Sequence, residues 1–297
     1  MAQKLIRMGI IGLSPGNGHP YSWSAICNGY NPERMEHCPF PVIPAYLRKQ
    51  AWPDSQLSGV SVTHVWTQER KVSEDVAAAA NIEFIVDDFT DMLGQVDALL
   101  LARDDSANHK EFAAPFLRAG VPIFIDKPLS NSVAGAKELL GLQRYSHQLF
   151  SCSALRFADT LRPRELRTES ITEIRAVTPK YWSTYSVHII EPIVAWFPDR
   201  GPIVSIEKMD SKELGGATTV LVSWARLRAS FTATNQAEGL ISMEYRSENS
   251  IEYRNEIDSF FSFKSAIQTF VMGIERREVC IPRQDTLEII RIIEHGS

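Results

Sequence analysis

Along the first half of the chain, short apolar runs alternate with longer stretches in which apolar positions recur at helical spacing. The runs at 5–11, 60–66, 83–86, 97–102, 123–125 and 149–153 are near-continuous rather than alternating. That is the pattern of strands buried on both faces of a parallel sheet. Between them, helices are predicted over the alanine-rich 69–80, over 106–119 with Ser106 as cap and Gly120 as left-handed stop, and from Asn131 or Ser132 to about Tyr145. Parallel neighbours need crossover helices, so this alternation predicts a doubly wound α/β domain.

Near residue 153 the pattern changes. Segments 175–182, 203–209, 218–224, 228–234 and 240–246 read as strands. Leu227, Ala229, Phe231 and Ala233 fall on one face, and Arg228, Ser230, Thr232 and Thr234 on the other. Period-two alternation of this kind belongs to a sheet with one dry face. Helical patterns at 262–276 and 285–295 close the chain. The second sheet lacks enough following helix to cover both faces, which predicts a homo-oligomer, a dimer or tetramer.

Composition narrows the classes. A length of 297 residues suggests roughly two domains. With 44% hydrophobic and 23% charged residues, wholesale disorder is excluded. A net charge of −5 argues against a nucleic-acid partner, and no run approaches the roughly 20 apolar residues of a membrane span. Cys27, Cys38, Cys152 and Cys280 form no Cys-x-x-Cys pair, and no cluster has metal-ligand spacing. They read as reduced thiols of a cytoplasmic protein that binds no metal.

The candidate chemistry starts at the turn after the first strand, residues 9–19. Gly12 fits the first position of a dinucleotide-binding turn, but Ser14 holds the second, and Gly16 and Gly18 are displaced by an insertion. Such a turn lets backbone N–H groups and a helix start approach a diphosphate; a glycine-rich turn without a ligand is the equal alternative. No acidic residue ends the second strand, where Thr67-Gln68-Glu69-Arg70 stand. Thr67 with Arg70 nearby slightly favours NADP, while Glu69 could restore NAD. From Gly12 to Val60 is 48 positions, and this added length, rich in proline, reads as an ordered excursion. His19 after the glycines either faces a ligand or lies on the surface.

The stretch 121–129 carries the most information: a short strand runs into Asp126-Lys127-Pro128. Residues at the carboxyl end of a parallel strand face the ligand crevice, and the proline restricts the lysine backbone and is a candidate for the cis form. This run resembles the Glu-Lys-Pro signature of the glucose–fructose oxidoreductase/inositol dehydrogenase/MocA family. Asp97 to Ala102 followed by Asn108-His109, Ser153 to Phe157, Ser186-Val187-His188-Ile189-Ile190-Glu191, and 270–293 are similar to further segments of that family, in its order.

The resemblance implies a Rossmann domain, expected over 1–150, followed by an α+β domain with an open, mostly antiparallel sheet over 151–297. It implies NAD- or NADP-linked hydride transfer at a hydroxyl or keto carbon of a sugar, cyclitol or nucleotide-sugar. Lys127 corresponds to the family's active-site lysine and His188 to its catalytic histidine. Gly12, Ser14, Gly16, Thr67, Arg70, Ala102, Arg103, Asn108 and Asp126 are the expected cofactor contacts. Arg156, Tyr181, Thr184 and Tyr185 are the expected substrate contacts, since polyols need hydrogen-bonding groups beside an aromatic wall. His188 is a general base with an ordinary pKa near 6.5, and Lys127 can stabilise a developing alkoxide. His109 reads as a helix-start residue, and Trp52 and Trp66 as packing residues.

The chain also departs from that pattern. Asp126 replaces glutamate, Glu191 replaces aspartate, Thr184 stands where many members carry an active-site aspartate, and Arg103-Asp104-Asp105 replaces a Thr-Pro segment. Ser14, Thr67, Thr184 and Asp104, each a departure from an expected contact, motivate the alternative of a non-catalytic nucleotide- or sugar-binding sensor on the same fold.

Overall fold

The computed structural model describes residues 5–210 and 216–297. The chain divides into two compact units: residues 1–129, 138–151 and 263–281 form one, and 130–137, 152–262 and 282–297 the other.

In the first unit, β1 (Ile6–Ile11), β2 (Val60–Trp66), β3 (Phe84–Ile85), β4 (Ala98–Leu101), β5 (Ile123–Ile125) and β6 (Leu149–Phe150) form one parallel sheet of order β3-β2-β1-β4-β5-β6. All of β4 and β5 is buried, as near-continuous apolar runs require. The helices of this half are α1 (His19–Asn28), α2 (Pro32–Met35), α3 (Val42–Leu47), α4 (Arg70–Ala79) and α5 (His109–Ala119). α2 and α3 make up the ordered excursion, and Tyr46 of α3 bonds Ser22 of α1.

The 106–119 prediction is corrected at its start. α5 opens at His109 with Asn108 at the cap position, and the Ser106 carbonyl accepts the His109 N–H instead. Gly120 is the left-handed stop, with φ 82°. The next helix, α6 (Val133–Gly141), is shorter than predicted. The Arg144 N–H is taken by Gln148 Oε1 at 2.7 Å, so the backbone leaves the helix before Tyr145. Residues 263–281 belong to the first unit because Phe270 packs on Phe124 of β5 and Phe150 of β6, with centroids 5.8 Å apart in both pairs.

In the second unit, β7 (Glu173–Thr178), β8 (Ile203–Asp210), β9 (Thr218–Trp224), β10 (Arg228–Ala233), β11 (Ser242–Arg246) and β12 (Ile251–Arg254) form a sheet of order β12-β11-β7-β10-β9-β8. Every pairing is antiparallel except β7 with β10. Ala229, Phe231 and Ala233 are buried and Arg228 is exposed, as the alternation predicts. The predicted strand 175–182 ends at Thr178. Pro179 has no N–H to extend it, Lys180 has φ 60°, and the chain turns into α7 (Trp182–Tyr185) and α8 (Val187–Trp196). α9 (Ser259–Arg276) and α10 (Arg283–Gly296) close the chain. α10 caps the dry face, where Glu288 receives Trp224 Nε1 and Arg200 Nε, both at 2.9 Å.

Candidate functional site

The carboxyl ends of β1, β4 and β5 converge on a polar cluster within the first unit. β1 delivers the glycine turn. A Cβ on Gly12 would lie 2.3 Å from Pro20 Cγ, and one on Gly18 would lie 2.6 Å from Phe40 and Ile43. Gly12 therefore performs the close strand-to-helix packing that a dinucleotide turn demands, while Gly18 makes room for the excursion residues Phe40 and Ile43. Gly16, with φ 79°, has nothing within 4 Å of its Cβ position, so the space above the tip is open. On these observations the turn fits a dinucleotide.

Ser14, in place of the second glycine, is buried. Its hydroxyl donates to Asp104 Oδ1 at 2.5 Å and accepts the Asp104 N–H at 3.1 Å. The other carboxylate oxygen of Asp104 accepts Lys127 Nζ at 3.3 Å. Lys127 is 4% exposed at the end of β5, and its peptide bond to Pro128 is cis. Asp126 accepts the Lys127 N–H and Asn17 Nδ2, each at 2.8 Å, and His19 Nδ1 at 2.5 Å. Burial alone would raise the Asp126 carboxyl. The charges of His19 and Lys127, with hydrogen bonds from His19 and Asn17, outweigh it and hold the group well below the usual carboxylate range.

Beside this cluster, Arg103 is buried against Phe112, pairs with both oxygens of Asp105 and donates to the Leu13 carbonyl. Asn108 Nδ2 also donates to Asp105, at 2.7 Å, and Ala102 is buried with its N–H on the Ile11 carbonyl. His109 bridges two carbonyls, Leu129 at 3.0 Å and Arg103 at 2.7 Å, and so ties the β4 loop to the Lys-Pro turn. At the β2 end the groups are committed elsewhere. The Thr67 hydroxyl contacts the Glu69 carbonyl and Ser73, while Arg70 pairs with Asp87 and Glu74.

The second unit holds a separate network around α8. His188 Nδ1 lies 2.7 Å from Ser153 Oγ. The Ser153 N–H donates to Glu191 at 2.7 Å, and Arg156 contacts Glu191 at 3.3 Å and Asp285 at 3.5 Å. Burial pushes the Glu191 carboxyl up to about 7, against the pull of Arg156 and the Ser153 N–H. The Tyr185 ring meets His188 edge-on at 5.1 Å, and its hydroxyl accepts Lys180 Nζ at 2.5 Å. Tyr181 is 67% exposed, and Thr184 contacts the Tyr181 carbonyl rather than standing in for a carboxylate.

Asn17, Lys180, Ser153 and Asp285 were not singled out as site residues. A chain position gives no sign of partners brought from 90 or more residues away, as with Asn17 and Asp126, 109 apart. Ser153 and Asp104 do carry a signal, since both stand at a strand end.

The first unit is thus a doubly wound parallel sheet with a Lys-Pro turn at the carboxyl end of β5, and the second an open, mostly antiparallel sheet. Residues 42–153 match the GFO_IDH_MocA family model, described as an oxidoreductase family with an NAD-binding Rossmann fold. No curated protein matches the sequence. Similar solved structures include the apo scyllo-inositol dehydrogenase of Lactobacillus casei, 15% identical with TM-score 0.72 over 99% of this chain and 96% of that one. The myo-inositol 2-dehydrogenase of Lactobacillus plantarum is 14% identical, with TM-score 0.70 over 98% and 96%. GenD2 from gentamicin A biosynthesis, in complex with NAD, is 12% identical, with TM-score 0.71 over 99% and 93%. At these identities the likeness is one of fold.

Proposed function

We propose that this chain is an NAD- or NADP-dependent oxidoreductase moving a hydride between nicotinamide and the hydroxyl or keto carbon of a sugar, cyclitol or nucleotide-sugar. The observation that carries the reading is the buried Lys127 ammonium, paired with Asp104 at the carboxyl end of β5 beside the glycine turn. The inositol dehydrogenases and the NAD complex among the similar structures support the substrate class and the cofactor.

The turn from Gly12 to Gly18, with Ser14, Ala102, Arg103, Asn108 and Asp126 around it, would hold the dinucleotide, and nicotinamide would supply the hydride acceptor. Lys127 stabilises negative charge on the substrate oxygen as its proton leaves. His188, in the second unit, is the proposed general base, and Ser153 at Nδ1 orients its ring. Arg156, Tyr181, Thr184 and Tyr185 are the proposed substrate contacts. We further take the open face of the second sheet, which carries exposed Leu221, Ile251 and Tyr253, as a self-association surface.

Titration with NAD⁺, NADH, NADP⁺ and NADPH tests the cofactor; no binding of any of the four at millimolar concentration removes the reading. Turnover on a panel of cyclitols and sugars then separates enzyme from sensor. The sensor reading is favoured by Thr184, which brings no carboxylate to its segment, and binding without turnover would select it.

A further inference from the structure

In doubly wound folds the cofactor diphosphate meets the open amides at the start of the first helix. In this chain those amides are closed. The His19 N–H donates to Asn17 Oδ1 at 2.8 Å, Pro20 has no N–H, and the Tyr21 and Ser22 N–H groups go to the Gly18 carbonyl at 3.1 and 3.3 Å. The first turn of α1 thus offers an anion little of what such a turn normally supplies.

The same turn presents a different donor. The His19 ring stacks on Trp23 at 5.0 Å and 13°, meets Phe263 edge-on at 4.9 Å, and is fixed through Nδ1 by Asp126 at 2.5 Å. Asp126 is itself held by Asn17 Nδ2 and the Lys127 N–H, so the acceptor cannot swing away. Among the described residues, Nε2 of His19 has no polar partner, and the side chain is 17% exposed. One nitrogen is anchored by Asp126, and the other is left for a ligand.

We propose that His19 is the diphosphate-recognising group of this chain, donating Nε2–H to the dinucleotide in place of the helix amides. The inference rests on the cofactor reading above and deepens it. The charged group bonded to the ring is Asp126, and the rings packed on it, Trp23 and Phe263, are neutral. With Nδ1 held by Asp126, Nε2 is the ring nitrogen left to bond a phosphate oxygen.

The test is calorimetric titration of wild type, His19→Gln, His19→Phe and His19→Ala with NAD⁺, with ³¹P spectra of the bound diphosphate and melting curves for folding. His19→Phe, which keeps the ring stack but has no donor, is expected to bind at least about tenfold more weakly than wild type, with the ³¹P shifts of the bound diphosphate displaced. His19→Gln, which keeps a side-chain N–H donor, is expected to retain most of the affinity. If His19→Phe fails to fold, the loss in His19→Ala, compared with His19→Gln, carries the test. Wild-type affinity and unchanged ³¹P shifts in the variants without a donor overturn this inference alone. A wild type that binds none of the four nicotinamide cofactors overturns the cofactor reading, and this inference with it.

Discussion

Nζ of Lys127 and Oδ2 of Asp104 lie 3.3 Å apart, and the other oxygen of Asp104 holds the Ser14 hydroxyl. One carboxylate thereby joins the ends of β1, β4 and β5. It also explains how serine is tolerated at a glycine position: the hydroxyl is consumed by Asp104. Replacing Asp104 by Asn removes the charge beside a buried ammonium and should cost about 1–3 kcal/mol in urea unfolding. Lys127→Ala should fold but lose turnover on any substrate found. A Lys127→Ala enzyme with wild-type kcat would defeat the assigned role.

The glycine turn separates packing from conformation. Gly12→Ala forces a Cβ to 2.3 Å from Pro20 Cγ and should destabilise by about 2–3 kcal/mol. Gly16→Ala meets open space and should cost only about 1 kcal/mol, because of its positive φ. Chemical denaturation distinguishes the two, and equal losses would contradict the packing argument.

Glu191 makes stability depend on pH. Its folded pKa of about 7 lies above the ordinary glutamate value, so the native state binds the extra proton. The stabilisation is complete below the ordinary value, about 4.3, and is lost as pH rises through about 7. Thermal melts of wild type relative to Glu191→Gln should therefore show a falling difference from about pH 5 to 8, of order 3 kcal/mol at most. A flat difference would mean that Arg156 keeps the carboxyl ionised throughout.

Cofactor choice should follow the pairing of Arg70. Its guanidinium is shared between Asp87 and Glu74, and Thr67 is bonded to Glu69 and Ser73, so a ribose phosphate finds no waiting partner. NAD⁺ should bind more tightly than NADP⁺ by calorimetry. The reverse order would indicate that Arg70 leaves Asp87 on binding, and Arg70→Ala would then remove the NADP preference.

Much of this molecule was legible in the sequence because burial on two faces writes itself as unbroken apolar runs. The segments 60–66, 123–125 and 218–224 are strands with those bounds. Gly120 ends α5 as its type requires, and the strand-end position of Lys127 follows from 123–125 alone. α1 and α8 were harder to see, since each is buried around most of its circumference and shows no amphipathic stripe. What only the tertiary structure decided was partnership. It set Ser14 on Asp104, Asn17 and His19 on Asp126, and Ser153 on His188, pairs separated by 35 to 109 residues. Local periodicity reports which side of an element meets water. It carries no information on which distant polar group fills the last hydrogen bond of a buried one, and in this chain that choice closes the amides of α1 and, among the described residues, leaves His19 Nε2 without a polar partner.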